Sequence, residues 1–268
     1  MSETPNAAPQ EPQLEGSLFL FSKPELLSKE KHAGLGMTLP AKPFGFCADI
    51  RAVPLTVTEI GQAQKHYPII FSEEANPLPL AVLGLIDDVN LFVDDEGQWE
   101  KGVYIPAYIR RYPFAFAGDQ QSNRMALVLD TGYDGITKDS ETPFFAGDEL
   151  SEATKAAMEF CTNYERDRQM TMAFSQQLAT FGLISNQMAQ FTADGDDTPR
   201  PFAQYAGVDE KKLNELPEDK FLALRKNNML PILYAQLMSM GNWRTMMDRR
   251  VKRFDLSRED ILKPLPKK

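Results

Sequence analysis

The stretch Gln98–Ala117, Q-W-E-K-G-V-Y-I-P-A-Y-I-R-R-Y-P-F-A-F-A, packs one Trp, three Tyr and two Phe into twenty residues, with adjacent arginines at Arg110 and Arg111. Strand alternation puts Tyr104, Pro106, Tyr108, Arg110 and Tyr112 on one face and Ile105, Ala107, Ile109 and Arg111 on the other. The aliphatic face reads as core, with Arg111 as a structural partner for a carboxylate. The tyrosine face reads as a half-wet surface on which Arg110 stacks. Pro106 and Pro113 each remove a ladder donor, which places this strand at a sheet edge or breaks it with bulges. Trp99 is expected to anchor core or interface.

Upstream, Thr56-Val-Thr-Glu59 fits a capping box that starts a short helix ending near His66, with Pro68 stopping it. Tyr67–Phe71, Leu80–Ile86 and Asn90–Val93 read as strands, and D-D-E-G at 94–97 as a hairpin loop. Tight turns between consecutive strands imply antiparallel pairing, because parallel strands need long crossovers. Residues 22–32, S-K-P-E-L-L-S-K-E-K-H, read as a short helix that breaks at Gly34. Residues 1–16, rich in Pro, Gln, Glu and Ala, read as a disordered tail.

Downstream, Met125–Leu129 reads as a strand entering the loop D-T-G-Y-D-G, and Thr142–Phe145 as a short one. Ser151–Gly182 follows as a long helix, with Ser151 as N-cap and Gly182 as C-cap. Its inward positions are expected to be Ala157, Phe160, Tyr164, Met172, Leu178 and Phe181. Met188–Thr192 reads as a strand returning to the sheet and 193–201 as a surface loop. Asp209 caps a helix through Leu216, Pro217 opens another, and Pro231 begins a last one bent at Gly241. The fold class is therefore α+β, a mainly antiparallel sheet from the N-terminal half packed against helices of the C-terminal half. The expected division is a tail at 1–16, a single domain at 17–250 and a basic C-terminal tail at 251–268.

The formal net charge of −9 argues against generic nucleic-acid binding, which needs a basic footprint. Between Arg244 and Lys268, nine Lys/Arg stand against four Asp/Glu, and this basic end reads as solvated. Cys47 and Cys161 lie far apart with no CxxC or Cys/His spacing, so reduced, structural thiols are expected. The N-terminus lacks the basic and apolar regions of a signal peptide, and the longest strongly apolar run, Leu78–Ile86, is too short to span a bilayer. A cytoplasmic location is expected.

Five words of the sequence occur in an order that resembles the SapC family of bacterial proteins. They are H-Y-P-I-I-F from His66, V-L-G-L from Val82, N-L-F-V from Asn90, W-E-K-G-V-Y-I-P-A-Y-I-R-R-Y-P-F from Trp99, and L-P-I-L-Y-A-Q-L-M-S-M-G-N-W from Leu230. The resemblance covers roughly residues 17–250. It implies a tie to the surface-layer locus that names the family, and no catalytic residues. A surface-layer role needs an export route other than a signal peptide.

Several patterns invite chemistry. Asp130-Thr131-Gly132 after an apolar strand has the form of an aspartic-protease motif, but Tyr133 follows where a small residue is usual and there is no second copy. The acidic clusters at Asp87-Asp88, Asp94–Glu96 and Asp194–Asp197 lack EF-hand spacing and read as solvated turns. His32 and His66 with an acid would make a facial iron triad that uses both histidines of the chain. No P-loop, GxGxxG or GxSxG occurs. The candidate binding residues are thus Tyr104, Tyr108, Arg110 and Tyr112, with His32 and His66. No metal or cofactor is expected. The expected function is a non-catalytic binding or assembly protein, whose partner is an unidentified protein, a small anionic or aromatic ligand, or a further copy of the chain in a homo-oligomer. The alternatives are a small-ligand sensor or enzyme with a pocket near the Tyr/Arg strand and, as the resemblance implies, a surface-layer-associated component.

Overall fold

The computed structural model describes residues 18–119, 124–192, 197–257 and 260–265. The tail expected at 1–16 and the acidic residues at 194–196 lie outside these. Along the first half come β1 (Pro24–Leu26), α1 (Lys29–His32), β2 (Leu35–Met37), β3 (Ala52–Pro54), α2 (Ile60–Ala63), β4 (Ile69–Phe71) and β5 (Pro79–Val82). The middle holds α3 (Ala107–Arg110), β6 (Phe114–Asp119), β7 (Arg124–Asp130), β8 (Ile136–Lys138), β9 (Phe145–Ala146) and β10 (Glu149–Leu150). The remainder is α4 (Glu152–Phe181), β11 (Ile184–Phe191), β12 (Arg200–Val208), α5 (Glu210–Asn214), α6 (Glu218–Lys226), α7 (Leu230–Ser239) and α8 (Asn242–Phe254). The fold is α+β, and every strand pairing is antiparallel.

The chain forms two compact units. The first comprises the described residues up to Pro40 with Arg111–Thr162, the second Ala41–Arg110 with the chain from Asn163 onward. The first unit carries the sheet β1-β7-β6 and the pairs β2-β8 and β9-β10. Its core is built on Phe114, Leu129, Phe144 and Cys161, with Phe114 and Phe144 meeting edge to face.

The second unit carries the five-stranded sheet β11-β12-β4-β5-β3. β12 and β4 share a single residue pair, Ala206 with Phe71, so their ladder leaves polar groups to be satisfied by other means. Gln236 of α7, almost fully buried, supplies them: its Nε2 donates to Ile69 O (2.8 Å) and its Oε1 accepts from Val208 N (3.3 Å). Ser239 Oγ accepts from Ile69 N (2.9 Å). The word L-P-I-L-Y-A-Q-L-M-S thus packs a helix on the sheet and completes its hydrogen bonding.

α4 keeps the expected ends. Thr154 N donates to Ser151 Oγ (3.2 Å), and Gly182 closes the helix at φ +63°, where a Cβ is unfavourable. Tyr164 and Leu178 are buried as expected, but Met172 is half exposed and packs against Arg168 instead. The buried stripe runs through Thr171, Phe174 and Ser175.

Several local expectations fail. The stretch Tyr104–Tyr112 is no strand; it is a loop leading into the single turn α3, followed by a further turn. Pro106 favours the turn locally: its carbonyl accepts from Ile109 N and Arg110 N, and a proline at the start of a turn costs no donor. Asn90–Val93 makes only the isolated bridge Val93–Trp99 across the D-D-E-G loop. β12 takes in Arg200 and Pro201 of the loop expected at 193–201, and the helix expected at 22–32 is the strand β1 followed by the single turn α1.

The basic end is not simply solvated. α8 continues to Phe254, and beyond it Ile261 is 7% exposed. Arg250, 1% exposed, pairs with Asp87 through Nε (2.9 Å) and Nη2 (2.8 Å). Arg249 pairs with Glu100, and Arg253 with Asp95.

Candidate functional site

The capping-box glutamate organises the centre of the second unit. Glu59 is 5% exposed, and its Oε2 accepts from Thr56 N (2.9 Å) and Thr56 Oγ1 (2.8 Å). The carboxylate reaches back to the backbone as a capping box requires, while the threonine hydroxyl bonds the acid rather than a free amide. Its Oε1 accepts from Ala107 N (2.6 Å), the first residue of α3, and from the Tyr104 hydroxyl (2.9 Å). One carboxylate therefore caps two helical turns that lie far apart in sequence, each presenting otherwise unsatisfied N–H groups.

Tyr104 is held from three directions. Its carbonyl accepts from the Tyr67 hydroxyl, its own hydroxyl donates to Glu59, and the same oxygen accepts from Arg110 Nη2 (3.1 Å). Burial, the Glu59 charge and that hydrogen bond push the phenol up to about 12, against the opposing pull of Arg110. Arg110 is exposed, its Nε donates to Ile105 O (2.9 Å), and its guanidinium carbon lies 5.5 Å from the Tyr104 ring centroid. The result is a cation fixed on an aromatic ring at the surface.

The other candidate residues do not join this pair. Tyr108 is 8% exposed and turned onto Tyr164, ring centroids 6.0 Å apart, so it is core rather than surface. Tyr112 belongs to the first unit, where its hydroxyl donates to Asp130 (2.9 Å) and its ring meets Phe21 and Tyr133 edge-on. The common tyrosine face is lost because no strand exists to create it. His32 is buried in the first unit, with Nδ1 3.0 Å from Ser28 O and Nε2 3.8 Å from Glu25. His66, half-buried in the second unit beside Tyr67, is held below the usual imidazole range by burial and by neighbouring Lys65. Arg111 is 9% exposed, and Trp99 stacks on Phe92 with centroids 6.2 Å apart.

Asp130, the protease-like aspartate, is fully buried and saturated. It accepts from Ser22 N (2.8 Å), Lys23 N (2.7 Å), Gly132 N (3.1 Å), Ser22 Oγ (3.2 Å) and the Tyr112 hydroxyl. Burial pushes its carboxyl up, but these donors outweigh it and hold the group below the ordinary carboxylate range. A depressed folded value means stability that is full above the unfolded pKa of about 3.9 and lost as pH falls through the folded one. Thermal melts should therefore show wild type losing stability below about pH 4. Asp130→Asn should already be destabilised at pH 7, with a shallower acid slope.

The thiols are equally unavailable. Burial pushes Cys47 up to about 12 and Cys161 up to about 11, the latter against the pull of Arg111. Among the described residues, no group of three or more His, Cys, Asp or Glu stands ready to hold a metal ion, and no helix is long and apolar enough to cross a membrane.

Two clefts, of about 730 and 690 Å3, lie beside α8 and share Asp94, Asp95 and Arg253 in their walls. Neither is lined by Tyr104, Tyr108, Arg110 or a histidine. The first has Phe92 in its wall, with the Arg249 guanidinium 4.6 Å from that ring. Sequence reading missed this place. Its signal is the acidic run from Asp87 to Glu100 set against the arginines of α8, two features of opposite charge that lie far apart in the sequence.

No curated protein and no solved structure matches the chain. A family model described as SapC matches residues 27–246, which spans β2 to β12, the Glu59–Tyr104–Arg110 cluster, α7 and the start of α8. With that match over most of its length, the chain belongs to the SapC family.

Proposed function

We propose that the chain is a non-catalytic binding or assembly protein, and that Arg110, fixed on Tyr104, is the group it presents to an anionic or aromatic feature of a protein partner. The observation that carries this reading is the geometry of Arg110: an exposed guanidinium held at Nε and Nη2 and backed by an aromatic ring. Pre-ordering a long side chain lowers the entropy lost on binding, and arginine and tyrosine are enriched among residues that dominate interfaces. The buried carboxylates and thiols support binding over covalent chemistry, since each is engaged in holding the fold. A cytoplasmic location goes with this reading, and fractionation of native cells checks it.

The test is capture from native lysate on immobilised protein. Arg110→Ala should lose its specific partner by about tenfold or more, corresponding to a hot-spot residue, while keeping a cooperative melt. Capture that survives this substitution unchanged rules Arg110 out. A small-ligand site in the cleft beside Phe92 and Arg249 is the second reading, favoured by a volume suited to a metabolite. Ligand-induced thermal shifts abolished by Arg249→Ala and kept by Arg110→Ala would select it.

A further inference from the structure

The five-stranded sheet of the second unit ends at β3 on one side and at β11 on the other, and the two edges differ. β3 has three residues, ends in Pro54 and follows Arg51. Shortness, a missing donor and an adjacent charge are the usual guards against strand addition. β11 has eight residues, I-S-N-Q-M-A-Q-F, with no charge and no proline. Its register shift against β12 is not its own irregularity: Ala189 and Gln190 are consecutive, while their partners are Ala203 and Pro201, so Phe202 is the extra residue and β11 runs straight.

The direction of the β11 backbone groups follows from β12. Val208 N donates to Gln236 and Ala206 pairs with β4, while Asp209 N donates to Leu183 O (2.8 Å), so Val208 and Ala206 make no ladder bond to β11; the Val208 carbonyl takes only the Gln187 side chain. In an antiparallel ladder the residues opposite them, Ile184 and Asn186, then point their own N–H and C=O away from β12. Asn186 shows it directly: its backbone N donates to Glu74 Oε1 (3.0 Å), and its side-chain Nδ2 donates to the same oxygen (2.6 Å). Alternation carries this outward direction to Met188 and Gln190. The side chains of Asn186, Met188 and Gln190 are exposed, Met188 at 43%.

We propose that β11 pairs antiparallel with β11 of a second copy of this chain, about a two-fold axis at Met188, and that Glu74 is the guard limiting this pairing. The inference rests on the assembly part of the reading above and uses none of the Arg110 surface. A second copy is favoured by self-complementarity. The two-fold sets Asn186 opposite the partner's Gln190, and primary amides each carry donors and an acceptor, so identical chains can satisfy one another. Met188 meets the partner's Met188, a flexible apolar contact. The chain carries a net charge of −9, and this uncharged strand places no like charges face to face. A charged peptide would find no counter-charge on it. Glu74 competes for the Asn186 N–H that the pairing needs, so its carboxylate sets how readily the edge opens.

A strand pair alone buries less than the roughly 1,200–2,000 Å2 of a stable interface, so the wild-type dissociation constant should be on the order of 0.1 mM. Sedimentation equilibrium of the full chain over a concentration series tests this. Glu74→Ala should dimerise about tenfold more tightly than wild type, as expected from freeing two charge-assisted hydrogen bonds. Met188→Pro should be monomeric, since it deletes an outward donor and no bond to β12. Met188→Lys, which leaves the backbone intact, should also be monomeric and stands in if the proline variant loses its circular dichroism. Arg110→Ala should self-associate like wild type, so this inference and the partner-capture reading fail separately. A Glu74→Ala protein that stays monomeric to about 1 mM, well above the constant expected here, would overturn the proposal. So would a dimer that both Met188 variants leave unchanged, or a β11-sequence peptide bound one to one by a chain that never self-associates.

Discussion

Replacing Arg250 with alanine should lower the free energy of unfolding by about 3–5 kcal/mol, the usual cost of removing one partner of a buried ion pair. Arg250 is 1% exposed and makes two bonds to Asp87, and its Nη1 and Nη2 donate to the carbonyls of Ile261 and Lys263. Asp87 in turn accepts from Leu265 N (2.7 Å). The truncation leaves a carboxylate with 12% side-chain exposure and two carbonyls without their donor. Arg250→Lys should recover only part of the loss, because an ammonium cannot span Asp87 and both carbonyls as a planar fork does. Urea denaturation gives the energies, and chymotrypsin cleavage after Leu262 reports release of the C-terminal segment. An alanine variant within about 1 kcal/mol of wild type, with that segment equally protected, would show the pair to be dispensable.

The second large effect belongs to Glu59. Glu59→Ala should cost about 3 kcal/mol or more, because it leaves the N–H groups of Thr56 and Ala107 buried without acceptors and frees the Tyr104 hydroxyl. Glu59→Gln, nearly the same shape, should cost about 1.5–3 kcal/mol through loss of charge-assisted bonds. Tyr104→Phe should cost about 1 kcal/mol, since a single hydroxyl is removed. The order of the three variants in chemical denaturation is the check. A glutamine variant as stable as wild type would mean that the carboxylate charge contributes nothing to the α2–α3 connection.

Much of the fold could be read from local chemistry. The ends of α4 at Ser151 and Gly182, the Asp209 cap of α5 and the strand character of Ile69–Phe71 each depend on neighbouring residues alone. The central stretch failed for a specific reason. Tyr104, Tyr108 and Tyr112 are spaced by four, which satisfies strand alternation and approximates the helical repeat equally well. What decides between them is Glu59, a residue 48 positions before Ala107 whose carboxylate caps the turn. Arg250 with Asp87, and Gln236 with Ile69, are likewise partnerships across more than 160 positions, visible as charge or amide in sequence but not as a pair. Arg110 survives as a surface group because its contacts, to Ile105 and Tyr104, are local.

The interleaving of the two units along the chain sets a timetable for synthesis. β1 is held by β7, from Pro24 to Asp130, and β4 is bridged by Gln236, so neither unit is complete when its first segment leaves the ribosome. The apolar strand β4, paired early with β5, must wait with its other side open until β12 and α7 have been made. That interval is a window for aggregation, and it makes the protein a chain whose yield should depend on translation speed and on chaperones that cover unpaired strands.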